Sequence, residues 1–187
     1  MGRRRLTDDI IGFFMDLGLR LVPAHDRALR SLCDPVRVFG PVLIELAANL
    51  AEEMYYKRGH GLAAPQVGLS LRLVVIDVSS GGTDLKIMAN PVIVQRSAFE
   101  QASIEGCLSL PGREFNVVRA NECVVEYDDV DGISRELPCS GLLSIAVQHE
   151  LDHLDGVLVS DRACARPPTL AQVRLSLGLG GATGVVS

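Results

Sequence analysis

Apolar residues recur with a helical period in two long segments of the chain. Between about Pro41 and Arg58 they stand three and four positions apart, and Pro41 suits the first turn of a helix. A second segment follows Ser140, a good N-cap, and runs to about Leu154, just before Gly156. Apolar residues cover nearly the whole circumference of this second helix, which predicts that it is buried at the centre of the fold.

The β-strand signals are short, apolar and rich in β-branched residues. Residues 71–78 form one such run and predict a buried strand. Residues 86–97 contain an Asn-Pro pair and predict a strand after it, while 122–127 and 133–137 flank an Asp-Gly turn typical of a β-hairpin. The expected fold class is therefore α+β, with mainly antiparallel strands packed around the central buried helix.

The two ends of the chain carry weaker patterns. Residues 6–21 predict a short amphipathic helix, and beyond a Pro-Pro pair residues 170–177 predict a weak one. Residues 178–187 are rich in glycine and predict a flexible tail. With no internal repeat in view, we expect one domain over 1–187 that is compact from about 6 to 166.

Composition excludes several classes of protein. The 187 residues are 48% hydrophobic and 22% charged, which is the ordinary globular mixture. A net charge of −5 argues against direct nucleic-acid binding, and no run of about 18 apolar residues could cross a membrane. Five widely spaced cysteines form no disulfide framework, which favours a reducing compartment. We expect a cytoplasmic protein rather than an organellar one, since transit peptides are poor in acidic residues.

The strongest chemical signal lies inside the central helix, at residues 149–153 (HELDH). Positions i and i+4 share one helix face, so His149 and His153 can both reach one metal ion. Glu150 lies beside them and could take a proton from the attacking water. The alternative is a pair of partly buried histidines bonded to the backbone, but a metal would satisfy both buried rings together.

A catalytic metal site needs a third protein ligand. Downstream of His153 the chain has no His or Glu, and its carboxylates there are Asp155 and Asp161. An ordinary zinc peptidase is therefore disfavoured, and the third ligand must come from upstream. The segment 105–109 (EGCLS) offers Cys107, a thiolate presented between small and turn-forming residues. A free buried cysteine would be the alternative interpretation.

A third segment combines small residues with one amide side chain. In residues 59–68 (GHGLAAPQVG) the glycines and alanines let backbone approach a ligand closely, and Gln66 supplies a donor and an acceptor. The segment is no phosphate loop, because it lacks the Lys-Ser/Thr pair and precedes a strand rather than following one.

Taken together, these three segments resemble the peptide deformylase family. Residues 59–66 match its motif G-x-G-L-A-A-x-Q, 105–109 match E-G-C-L-S, and 148–153 match Q-H-E-x-D-H. The resemblance extends over about 26–162. It implies one divalent metal ion, in this family usually Fe(II) and replaceable by Zn(II), Ni(II) or Co(II). Its implied ligands are Cys107, His149 and His153, with water as the fourth.

The resemblance also implies the reaction and its catalytic groups. The substrate would be the N-formyl-methionine of a nascent polypeptide, and the products formate and a free amine. Glu150 would act as general base and then as acid, while the Gln66 side chain and the Leu108 backbone N–H would stabilise the oxyanion.

Substrate-binding residues are implied by the same resemblance. The methionine side chain would enter a pocket formed by Leu142, Ile145 and Ala146, for which core packing is the alternative. Gly61 and Gly106 would pair with the extended peptide as in strand addition. His60 stands where an aliphatic residue is common and would place a polar group at the mouth of the cleft.

Two polar patterns lie around the motifs, and the first allows two interpretations. Glu105 and Arg119 could form an ion pair that fixes the ligand segment, or Arg119 could be exposed. Ser144, Gln148 and Asp152 are spaced four apart and could form a solvated helix face.

Partners and alternatives follow from the complete set of motifs. The expected partners are formyl-methionyl peptides. A transient ribosome contact stays open, although the sparse arginines of the C-terminal region do not predict docking. The alternatives are a metallo-amidase or peptidase acting on another acyl group, and a non-catalytic binding protein that retains the fold.

Overall fold

The computed structural model of the chain describes residues 18–164, and in that part it contains seven β-strands and two α-helices. The strands are β1 Gly61–Ala63, β2 Leu73–Ile76, β3 Lys86–Arg96, β4 Glu100–Gly106, β5 Glu114–Ala120, β6 Glu122–Asp128 and β7 Ser134–Ser140. The helices are α1 Pro41–Tyr56 and α2 Gly141–Leu154, with short 3₁₀ turns at Arg27–Arg30, Ala64–Val67 and Val159–Asp161.

Every pair of named strands is antiparallel. Five strands form one sheet in the order β1-β2-β3-β6-β7, and β4 and β5 form a separate two-stranded hairpin. The α+β prediction, with mainly antiparallel strands, is confirmed. No helix of residues 18–164 is both long and apolar enough to span a bilayer.

Strand β2 shows how the two helices are organised around the sheet. Leu73 and Val75 belong to the apolar cluster that contains α1, whereas Val74 and Ile76 belong to the cluster that contains α2. Because successive side chains of a strand point to opposite faces, the two helices cover opposite faces of the sheet. This double burial explains why residues 71–78 are almost continuously apolar.

Both predicted long helices are present near their expected ends. Helix α1 begins at Pro41 after Gly40, whose φ of 87° is readily adopted only by glycine. Helix α2 begins after Ser140 and is followed by Gly156, with φ of 72°. Its first turn differs from the expectation of complete burial, because Leu142 is 52% exposed.

Strand β3 is longer than predicted. It begins at Lys86 and runs through Asn90 and Pro91, where a strand had been expected only after that pair. Asn90 takes a φ of 53°, and the pairing of β3 with β6 shifts register between Ala89 and Val92. Asparagine tolerates this left-handed conformation, so the bulge accommodates Pro91 without ending the strand.

Two regions differ from the sequence predictions or lie outside them. The hairpin of β4 and β5 was not predicted. Of the helix expected over residues 6–21, positions 18–21 are not helical, and the remainder lies outside the described residues. The helix expected at 170–177 and the tail expected at 178–187 also lie outside them.

Candidate metal centre

A cavity of about 950 Å³ opens between β1, the β4–β5 hairpin and α2. All three motif segments contribute to its wall. The predicted site residues that line it are His60, Gly61, Gln66, Gly106, Cys107, Leu108, Leu142, Ile145, Ala146, His149 and Glu150. His153 lies behind this wall and is fully buried.

Cys107, His149 and His153 converge at the inner end of the cavity. One donor atom from each lies within 4.8 Å of the others, and Cys107 Sγ is 3.3 Å from His153 Nε2. Helix α2 supplies both imidazoles from adjacent turns, and the segment after β4 supplies the thiol. A thiolate with two imidazoles suits iron, cobalt, nickel and zinc ions, so these side chains fit the metal that the sequence implied.

The orientation of His149 is set by Glu105. The Glu105 carboxylate lies 2.8 Å from His149 Nδ1 and also receives two hydrogen bonds from Arg119, of 2.7 and 2.9 Å. Burial opposes the charge, but the bonds from His149 and Arg119 outweigh it and lower the pKa of Glu105 to about 2. A carboxylate on Nδ1 leaves Nε2 as the metal-facing nitrogen.

Arg119 is buried, so the alternative of an exposed arginine is wrong. Its third nitrogen donates to Asp152 at 2.9 Å, and Asp152 also receives two bonds from Arg162. The predicted ion pair between Glu105 and Arg119 is therefore confirmed, within a longer network whose Asp152 and Arg162 members were not predicted.

The interpretation of Ser144, Gln148 and Asp152 as a solvated face is wrong. Ser144 and Gln148 are buried, and both donate to the carbonyl oxygen of Ala120 at 2.9 Å. The Ala120 N–H and Gln148 Oε1 form a bond of 3.2 Å. These polar side chains attach α2 to the end of β5, which sequence spacing could not show because it does not reveal the partner strand.

The pKa values of the two imidazoles shift in opposite directions. Burial lowers the pKa of His153 to about 3, so its ring is neutral and its nitrogen lone pair is available. At His149 burial also acts downward, but bonds with Cys107 and Glu105 outweigh it and raise the pKa to about 10. A metal ion and a proton compete for the same nitrogen there, so metal binding should release a proton.

The burial and the free carboxylate oxygen of Glu150 suit a proton acceptor. Its side chain is buried, and its Oε2 has no hydrogen-bond partner among the described residues. Burial raises its pKa to about 7. A Cβ placed on Gly61 would lie 2.8 Å from Glu150 Cδ, so the close approach of these residues requires glycine at this position.

The side chain of Gln66 is oriented by a hydrogen bond from the nearby backbone. The Ala63 N–H donates to Gln66 Oε1 at 2.8 Å, which assigns the other end of the amide as the donor. That donor, Nε2, reaches Ser109 Oγ at 3.1 Å and Cys107 Sγ at 3.7 Å. Ser109 was not predicted as a contact of Gln66, although it belongs to the EGCLS motif.

The outer part of the cavity is more charged than the motifs indicated. Leu142 and Ile145 form its apolar wall with Ala146, and His60 is exposed at its rim. The further lining residues that were not predicted include Lys57, Arg58, Ile104, Arg113 and Glu114. All five lie within a few positions of a motif, and this proximity was the signal available in the sequence.

Comparison with known proteins agrees with this geometry. Residues 19–167 match the family model of polypeptide deformylase. A peptide deformylase of Carboxydothermus hydrogenoformans is 41% identical over 144 residues, which cover 77% of this chain and 92% of that protein.

Solved structures give the same result. The peptide deformylase of Thermotoga maritima aligns with a TM-score of 0.75 at 36% identity, covering 78% of this chain and 97% of that one. A Met-Ala-Ser-bound peptide deformylase of Acinetobacter baumannii aligns with a TM-score of 0.74 at 30% identity, covering 77% and 97%. This chain therefore belongs to the polypeptide deformylase family, the metal-dependent hydrolases that remove the N-formyl group from nascent polypeptides.

Proposed function

We propose that this chain binds one divalent metal ion through Cys107, His149 and His153 and deformylates formyl-methionyl peptides with Glu150 as its proton-transfer group. One observation carries the proposal. Three donor atoms lie within 4.8 Å of one another beside Glu150, whose Oε2 has no partner among residues 18–164. Metal ligands and a proton acceptor are thus assembled in a single cavity.

The resident ion we propose is Fe(II), as the family resemblance implies, and the same three donors can also hold Zn(II), Ni(II) or Co(II). A divalent cation bound there supplies Lewis-acid chemistry and makes water a nucleophile near neutral pH. The chain contributes the orientation of its ligands, because Glu105 fixes one imidazole and the buried core around His153 fixes the other.

Glu150 accepts a proton from water as water attacks the formyl carbon, and it then donates that proton to the departing amine. A pKa near 7 suits both steps, because the carboxylate is available as a base and the acid form is available as a donor at neutral pH. The burial that raises this pKa also keeps bulk water from competing for the proton.

Negative charge develops on the formyl oxygen during attack. Gln66 Nε2, held by the bond between Ala63 and Gln66 Oε1, is a preorganised donor for that oxygen. The Leu108 backbone N–H, which directly follows Cys107, is the second proposed donor. One such donor stabilises a transition state by about 3–4 kcal/mol.

The peptide itself is proposed to bind between two strands. Gly61 of β1 and Gly106 of β4 both line the cavity and offer backbone groups for strand addition. Leu142, Ile145 and Ala146 form the proposed methionine pocket at the first turns of α2. His60, exposed at the rim, is proposed to influence which residues after methionine are accepted.

The matched residues 19–167 support one catalytic domain. We infer a cytoplasmic setting of the bacterial type, since the substrates are nascent polypeptides and the cited relatives are bacterial. Any ribosome contact would be transient.

The test is anaerobic turnover of formyl-Met-Ala-Ser and acetyl-Met-Ala-Ser, with metal quantified on the same samples. Cys107→Ser is expected to lose both metal and turnover, because thiolate is the stronger ligand. Cys33→Ala, which removes another buried thiol, is the matched control and is expected to keep both.

Two results would contradict the proposal. Comparable cleavage of the acetylated peptide would assign a broader amidase. Wild-type metal content in Cys107→Ser would mean that the third ligand lies elsewhere.

A further inference from the structure

Two cysteines outside the metal centre lie side by side in the sheet. Cys123 of β6 and Cys139 of β7 are direct cross-strand partners in an antiparallel ladder. Both side chains are buried, with each residue 3% exposed, and neither lines the cavity that holds the metal ligands. Both are free thiols.

Their placement satisfies the main geometric requirement of a disulfide. Directly opposite residues of an antiparallel pair have Cα atoms about 4.5–5.5 Å apart, and disulfides span Cα separations of about 4.4–6.8 Å. Their side chains also lie on the same face of the ladder, since opposite residues point the same way. The two sulfurs can therefore bond without a change of strand register.

The pair can also be reached from outside. Strand β7 is the edge of the five-stranded sheet, so only one neighbouring strand covers Cys139. A separate cavity of about 200 Å³ opens at this place and is lined by Cys123, Cys139, Gln95, Ser97, Glu122 and Pro138 among others. The disulfide group of a small reagent can reach the two sulfurs through this opening.

The surroundings favour the thiolate form of one partner. Interaction with the Cys139 thiol, together with the Ser144 hydroxyl, lowers the pKa of Cys123 to about 6 against the opposing effect of burial. The same interaction raises the pKa of Cys139. Ser144 Oγ lies 3.5 Å from Cys123 Sγ. The Ser144 hydroxyl donates to the Cys123 sulfur, whereas the Cys139 thiol donates to the Leu137 carbonyl oxygen at 3.5 Å. We therefore assign Cys123 as the nucleophile of the pair and Cys139 as the second sulfur.

We propose that Cys123 and Cys139 form a reactive thiol pair that low-molecular-weight disulfides oxidise to an intrachain disulfide, separately from the metal centre. The Cys123 thiolate attacks one sulfur of the reagent R–S–S–R, its S–S bond breaks, and one thiolate leaves. Cys139 gives its proton to that thiolate, attacks the Cys123 sulfur and expels the second thiolate, which takes up the remaining proton. The protein is oxidised by two electrons, and the reagent is reduced to two thiols.

The bond would restrain the hairpin on which part of α2 rests. It closes a loop of about 15 residues between β6 and β7, which restricts the unfolded chain. For a protein of this size we expect the Tm to rise by about 6–12 °C, and by less if the disulfide strains the native geometry. The metal ligands do not take part, so turnover should persist.

The experiment treats the metal-loaded enzyme with oxidised glutathione, blocks free thiols with N-ethylmaleimide and maps peptides without reduction. The expected product is a peptide pair joined through Cys123 and Cys139, with a mass lower by two hydrogen atoms and reversed by dithiothreitol. Cys33→Ala should give the same product, because this buried thiol has no cross-strand cysteine partner in the described ladders.

Cys123→Ala and Cys139→Ala should each abolish both the joined peptide and the rise in Tm. If either variant fails to fold, peptide mapping of the oxidised wild-type protein alone shows whether Cys123 and Cys139 are joined. Glutathione found only on exposed Cys164, a disulfide that involves Cys107, or unreacted thiols at both positions would each overturn the proposal.

Discussion

The five-stranded sheet and the β4–β5 hairpin are built from different kinds of buried side chain. In the sheet, the four residues of β2 are apolar and completely buried. In the hairpin, the buried residues include Gln101, Glu105 and Arg119, and the two charged ones are bonded to each other. One region is held by apolar packing, and the other is held largely by charge and hydrogen bonds.

This difference suggests that the sheet contributes mainly to stability and that the hairpin also contributes to the orientation of the site residues. Apolar packing has little directional preference, so it fixes the position of the sheet without orienting polar groups. Hydrogen bonds to a carboxylate fix direction as well as distance, and Glu105 of the hairpin uses them to orient His149. We therefore expect changes in the sheet to affect unfolding, and changes in the hairpin to affect the metal centre too.

Glu150 lies in the cavity between the two regions. The largest effect on activity is expected from Glu150→Gln. The substitution preserves the shape of the side chain but removes the proposed proton acceptor. We expect kcat/KM to fall by about 10²–10⁴-fold while metal content stays at the wild-type level. Steady-state kinetics and metal analysis on one preparation measure both. Near wild-type turnover in a metal-loaded sample would remove Glu150 from the mechanism.

A glycine from each region gives the next comparison. A Cβ at Gly61 would collide with the Glu150 carboxylate, whereas a Cβ at Gly106 would have its nearest neighbour at 3.9 Å. Gly61→Ala should lower kcat/KM by about 10²-fold, because the added methyl group displaces the proposed catalytic carboxylate of Glu150 by about 1 Å. The loss in Gly106→Ala should be smaller. If Gly61→Ala lost no more kcat/KM than Gly106→Ala, the Glu150 side chain would be able to move away from the new methyl group without cost to activity.

The sheet and the hairpin also differed in how far sequence could predict them. The apolar run at 71–78 and the Asp-Gly turn identified β2 and the β6–β7 hairpin, because burial on both faces and turn chemistry leave clear patterns. The β4–β5 hairpin was missed because its buried face carries charge, so its alternation looks like that of a polar loop. Its ion pair could be proposed only after the motif drew attention to Glu105.

The clustering of the residues named from the sequence was easier to predict than the contacts that support them. All the site residues named from the sequence lie in or directly behind one cavity, because the motifs retain their order and spacing. The contacts of Gln148 with Ala120 and of Asp152 with Arg162 were missed. These contacts join residues that are brought together only by the tertiary fold. The spacing of residues along a single sequence does not reveal such pairs.

Matched substitutions in the two regions test the separation directly. Leu73→Ala should cost about 2–5 kcal/mol of unfolding free energy, as expected for a buried leucine, without changing kcat/KM at 25 °C. Arg119→Met removes the buried cation that is paired with Glu105 and should cost about 3–5 kcal/mol of unfolding free energy. It should also weaken metal binding by about 10–100-fold.

Urea unfolding and metal titration of both variants give these quantities. Weakened metal binding in Leu73→Ala, or unchanged binding in Arg119→Met, would show that the two regions are not distinct in this way.

A pH-dependent contribution to stability is expected at the end of β2. Bonds from Ser79, with further ones from Tyr55 and Asp84, lower the pKa of Asp77 to about 2 against the effect of burial. Because the folded value lies below the unfolded value of about 4, this carboxylate stabilises the fold above that pH. The contribution is lost as the pH falls towards 2.

Asp77→Asn should therefore be less stable than wild type at pH 6, and the difference should shrink between about pH 5 and pH 3. Urea unfolding at several pH values measures it. The exposed Asp131→Asn is the control and should show little difference at any pH. A gap between wild type and Asp77→Asn that stays constant with pH would mean that the charge of Asp77 is unimportant.

The smallest effect is expected at the rim, where His60 precedes β1 on the sheet side and Arg113 and Glu114 line the hairpin side. His60 is exposed, so solvent screens any charge it carries. His60→Val should leave turnover of formyl-Met-Ala-Ser nearly unchanged. It should improve kcat/KM for a peptide with lysine after methionine, relative to one with aspartate, by about two- to fivefold. An unchanged ranking would make His60 a surface residue, and loss of all turnover would place it in the catalytic machinery.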